Sequence, residues 1–121
     1  MTKKRMKDRQ ALARAVTFDR AARLCRLLRI LSGGPQTRQS LIKRLRLDVR
    51  GFYRDLELLR NAGIALPLSK GRYHLQKSLT EVLPRLPFPD PGLTLGEAMQ
   101  LAKGKSRTHA KLRKQIARIT R

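Results

Sequence analysis

Residues 47 to 64, reading Leu-Asp-Val-Arg-Gly-Phe-Tyr-Arg-Asp-Leu-Glu-Leu-Leu-Arg-Asn-Ala-Gly-Ile, constrain this chain more than any other stretch, because a helix cap, an amphipathic helix and a basic face fall within one short run. Asp48 is a residue type that caps helix N-termini through its side-chain oxygen, and Gly63 supplies a stop. Between them Phe52, Leu56 and Leu59 recur at i, i+4 and i+7, which predicts one buried stripe and leaves Arg50, Gly51 and Arg54 facing outward near the helix start. A helix that shows its first turn and two arginines to solvent is suited to meet an anion.

The neighbouring segments extend this reading. Thr37 to Leu45 forms a second short helical pattern with Leu41, Ile42 and Leu45 apolar, and only Arg46 and Leu47 separate it from Asp48. Two helices joined by so tight a turn read as a helix-turn-helix. Upstream, Leu24, Leu27, Leu28 and Leu31 make a third apolar stripe, ended by Ser32-Gly33-Gly34-Pro35. Downstream, Ile64 to Leu68 and Arg72 to Gln76 are short extended segments around Ser69-Lys70-Gly71, where glycine supplies the positive φ of a tight hairpin. The expected fold is mainly α with a small β-hairpin: a winged helix-turn-helix, with a three-helix core plus wing, over residues 17–77.

The run from about Ala21 to Leu75 resembles the N-terminal helix-turn-helix domain (type 11, DeoR-like) of the WYL-domain bacterial transcriptional regulators. The resemblance rests on Thr37, Leu41, Leu45, Arg50, Tyr53, Arg54, Asp55, Leu59, Ala62, Gly63, Ile64, Tyr73 and Leu75, and its most specific part is the Tyr-Arg-Asp core with its flanking leucines. Three positions depart from the family pattern: Arg46 stands where the turn usually has glycine, Ser40 replaces a glutamate and Gly51 replaces a threonine. Arg46 in a left-handed turn position costs roughly 1 kcal/mol or more, so a reshaped turn is expected. Gly51 inside a helix costs on the order of 0.5–1 kcal/mol against alanine, which points to a close phosphate approach or to a lost family contact. The resemblance implies that an effector-sensing WYL domain would follow, and the sequence contains none.

The remaining organisation is a basic N-terminal arm (1–16), a proline-rich linker (78–93) and a basic C-terminal helical extension (94–121). Thr94 and Glu97 have capping-box spacing, so a helix is expected to begin at Leu95. Leu112, Ile116 and Ile119 share one face of a last helix, which reads as a docking or dimer surface. With three Phe, two Tyr and no Trp, the core must be leucine-rich and modest. The formal charge of +21 far exceeds what solubility requires and implies a polyanionic partner, of which duplex DNA is the first candidate. Neither a membrane-spanning segment nor a signal peptide is recognisable, so a cytoplasmic, nucleoid-associated protein is expected, with no membrane partner.

Chemistry of other kinds is scarcely signalled. Cys25 is the only cysteine and lies beside the first apolar stripe, where it reads as a small buried hydrophobe. His74 and His109, without a second cysteine or an acidic cluster, do not make a metal site. Asp48 and Glu97 read as caps, and Asp55 and Glu57 as helix charges among Arg50, Arg54 and Arg60, either of which could pair with Arg54 on the helix surface, so that no catalytic pair is formed. Gly33-Gly34 leads to proline rather than to a phosphate-cradling lysine. The chain is therefore expected to be no enzyme and to need no cofactor or metal.

The expected mechanism places the helix from Val49 in the major groove, N-terminus first. Arg50 and Arg54 would reach base edges, since arginine matches guanine O6 and N7, while Gly51 lets the backbone come close. Thr37, Arg38, Tyr53, Lys70 and Arg72 would hold phosphates and fix orientation, and the basic N- and C-terminal flanks would lie on phosphates as well. A homodimer and a separate sensor or effector protein are the further partners to expect. Two other functions compete with this DNA-binding regulator: a sequence-tolerant DNA- or RNA-binding architectural protein, and a protein-interaction module.

Overall fold

The computed structural model describes residues 16–89 and 93–121, so all but the last residue of the expected N-terminal arm lies outside the described residues. Helix α1 (Phe18–Ser32) is followed by strand β1 (Gln36–Thr37), helices α2 (Arg38–Leu45) and α3 (Val49–Asn61), and strands β2 (Leu68–Ser69) and β3 (Arg72–Tyr73). Helix α4 (Leu79–Val82) runs into a 3-10 turn at Leu83–Arg85, and α5 (Leu95–Leu101) and α6 (Arg107–Thr120) complete the chain. The fold is mainly helical, with a small three-stranded antiparallel sheet.

Every described helix except the short α4 begins where a side chain accepts a bond from its unpaired first-turn amides. Thr17, Thr37 and Asp48 take the amides of Arg20, Ser40 and Gly51, and Thr94 and Glu97 form the expected reciprocal capping box of α5. Ser106 and His109 form another at α6, which gives His109 a structural role. The leucines of α1 named from the sequence are all buried and pack with Leu41 and Leu45 of α2 and Phe52 and Leu59 of α3. Burying each such side chain contributes about 1.5–3 kcal/mol, which is what fixes the three helices against one another.

Three expectations need correction. The sheet is larger than a hairpin: β3 lies between β2 and β1, with Gln36 opposite Tyr73 and Thr37 opposite Arg72. The stretch 78–89, read as part of a linker, carries α4 and the 3-10 turn and sends Val82, Leu86 and Phe88 into the core. Pro87 pairs with Thr94 in an isolated bridge, which leads the chain directly into α5. Finally, Ile119 of α6 is buried and Leu112 and Ile116 pack partly against the same core, while Arg118 stacks on the ring of Phe18 in α1, 4.5 Å from its centroid. The apolar face of α6 expected for docking is used within the chain.

Candidate nucleic-acid interface

The turn between α2 and α3 is built on Arg46, at φ 54° and ψ 48°, in the left-handed region that glycine favours. The turn is not reshaped by the arginine. The Arg46 amide donates to the carbonyls of Ile42 and Lys43, and Leu47 N–H closes the motif on Ile42 O at 3.0 Å. Left-handed geometry at a residue with a Cβ costs about 1–2 kcal/mol, and the strain is held by these bonds and by burial of Leu45 beside the turn.

Asp48 then starts α3, its carboxylate oxygen accepting from Gly51 N–H at 2.6 Å. A Cβ at position 51 would lie 3.0 Å from that oxygen and 3.3 Å from the Leu47 side chain. Glycine therefore has a local cause here, close packing of turn and cap, in addition to any contact it makes outward. Val49, Arg50 and Arg54 are exposed along the open side of α3, and no side-chain hydrogen bond or ion pair ties Arg50 or Arg54 to another described residue.

Tyr53 connects α3 to α2. It is 45% exposed, packs edge-on against Phe52, and its hydroxyl accepts from Arg38 Nη1 at 3.0 Å. That bond holds the Tyr53 phenol below its ordinary pKa, whereas burial, followed by the nearby Tyr53 charge, pushes Tyr73 up. Thr37, Arg38, Tyr53, Gly71 and Tyr73 line one open cleft of about 300 Å³ between the start of α2, α3 and the hairpin. Arg72 stands opposite Thr37 in the sheet, and Lys70 sits at the hairpin tip with φ 53° beside Gly71 at φ 76°. The structure thus gathers Thr37, Arg38 and Tyr53 around one cleft, with Arg72 outside its lining and Arg50 and Arg54 on the exposed side of α3.

Asp55 departs from its expected place. It is fully buried, and its carboxylate accepts from Arg23 at 2.7 and 3.0 Å and from Arg20 at 3.0 Å. Of the buried face predicted for α3, Phe52 and Leu59 are in place; Asp55 and Leu58 join them, and Leu56 is only half-buried. Surface pairing of Arg54 with Asp55 is excluded by this burial. Tyr73, which sequence reasoning used only as a family marker, is the other residue missed, and its place after the glycine turn was the available signal.

Elsewhere, Cys25 is buried in α1 and its thiol is pushed up by burial. Among the described residues no three His, Cys, Asp or Glu side chains gather as metal ligands would, and no helix is long and apolar enough to cross a membrane. Compared with known proteins, the chain matches no protein-family model, no curated protein and no solved structure.

Proposed function

We propose that this protein is a DNA-binding transcriptional regulator whose reader is a winged helix-turn-helix formed by α1 to α3 and the β-sheet. The observation that carries the reading is the exposed start of α3, where Arg50 and Arg54 are held by no partner among the described residues while Tyr53, bonded to Arg38 of α2, follows on the same helix. In this reading α3 enters the major groove, Arg50 and Arg54 meet base edges, and Thr37, Arg38, Tyr53, Lys70 and Arg72 hold phosphates. The net charge of +21 supplies the attraction that brings such a protein to DNA.

The test is selection from randomised duplex DNA at near-physiological salt with excess competitor. Enrichment of a discrete motif supports the regulator, and an inverted repeat with half-sites about one helical turn apart identifies a dimer. Retention without enrichment supports the second reading, a sequence-tolerant architectural binder, which the strong positive charge favours.

A further inference from the structure

Helix α6 carries a second basic surface that the α3 interface does not use. Arg107, Lys111, Lys114 and Arg118 follow one another at spacings of four, three and four residues, so at about 100° per residue they fall on one line along the helix. All four are exposed, with Arg118 turned onto the Phe18 ring of α1, so that Arg107, Lys111 and Lys114 are the cations open to a partner, and no acidic residue follows Glu97 in the sequence. Like charges at this spacing repel and destabilise a helix by a few tenths of a kcal/mol per pair, and a surface serving only solubility would mix signs. Such a stripe is complementary to a row of phosphates.

The fold sets this stripe away from α3. Arg20 and Arg23, which hold α3 through Asp55, lie about 160° and 140° around α1 from Phe18, which receives Arg118 of α6. Helices α3 and α6 therefore flank α1 on well-separated sides. With neighbouring helices at least about 8–10 Å apart, their axes stand roughly 15 Å or more from each other, and Arg107, Lys111 and Lys114 lie on the exposed side of α6. A major groove is only about 12 Å wide, so a groove filled by α3 leaves the stripe beyond its rim.

We propose that the α6 stripe binds the phosphate backbone of a second duplex segment, so that one molecule holds two DNA duplexes together. The inference rests on the reading of α3 as the first DNA contact. It is tested with the full chain, a bead-bound duplex and a labelled free duplex, measuring labelled DNA captured by protein on the beads. Wild-type protein is expected to capture it, and Lys111→Gln/Lys114→Gln to lose about tenfold in capture with under about threefold change in affinity for a single duplex, two phosphate contacts having been removed. Unchanged capture by this variant overturns the proposal, as it would if two α3 helices of a dimer did the bridging. An equal loss of single-duplex affinity also overturns it, placing α6 on the same DNA as α3, and so does preferential capture of a labelled RNA. If wild-type protein binds duplex but bridges none, the second contact alone fails. If it binds no duplex, the reading of α3 fails first.

Discussion

Arg23 grips Asp55 with two hydrogen bonds, Nε to Oδ2 at 2.7 Å and Nη2 to Oδ1 at 3.0 Å, across an interval of 32 residues. The carboxylate is buried while the arginine side chain keeps 25% of its surface in water, so the pair lies at the edge of the core rather than in its middle. Its geometric effect is to fix how α3 rotates against α1, and hence which way Arg50 and Arg54 face.

Removing the buried partner should therefore be felt in stability. Asp55→Ala is expected to lower the unfolding free energy by about 2–3 kcal/mol, below the range for fully buried pairs because both arginines can rehydrate. Urea denaturation checks this, and a loss under about 0.5 kcal/mol would show that the pair contributes little.

The turn makes the opposite prediction. Arg46→Gly relieves left-handed strain at a modest entropic cost, so a gain of about 0.5–1 kcal/mol in the same measurement is expected. A loss of stability would mean that the arginine side chain repays the strain through a contact of its own.

Arg50→Ala/Arg54→Ala should weaken binding to a selected duplex by at least about 1–3 kcal/mol while leaving the melting temperature nearly unchanged, since neither side chain is bonded to another described residue. Unchanged affinity in a binding titration would remove α3 from the interface.

Duplex binding should depend steeply on salt. Roughly six to ten phosphate contacts give a log–log slope of about −5 to −9, read from affinities between low and moderate salt. A slope near about −2 would make most of the basic surface a bystander.

The chain has two tyrosines, and their environments pull them apart. Ultraviolet titration should resolve Tyr53 ionising below, and Tyr73 above, the ordinary value of 10.0. Tyr53, lowered when folded, contributes stability that is present above its unfolded value and lost as pH falls through its folded one. Tyr73, raised when folded, contributes stability that is present below its unfolded value and lost as pH rises through its folded one. Tyr53→Phe should leave one step, moved back toward the ordinary value. Two coincident steps in the wild type would deny the Arg38–Tyr53 bond.

What could be read from the sequence was local. The caps Asp48 and Thr94 sit within three residues of the amides they satisfy, so α3 and α5 were legible, and α2 showed in the spacing of Leu41 and Leu45. Strand β1 was not, because Gln36-Thr37 is a polar pair whose strand character comes only from Tyr73 and Arg72 across the sheet. Nor was the folding of residues 78–89, whose buried Val82, Leu86 and Phe88 follow an irregular backbone with no single period. Asp55 looked like a surface charge because its partners are on another helix, and the meeting of Arg38 with Tyr53 likewise required the fold.

The contact of Phe18 with Arg118 spans about 100 residues, and it sets an order for biogenesis. At a synthesis rate of about 5–20 residues per second, roughly 5–20 s separate the making of α1 from that of the helix that covers its flank. During that interval the nascent chain displays uncovered apolar surface beside strong positive charge, so its folding on the ribosome is expected to depend on chaperone cover.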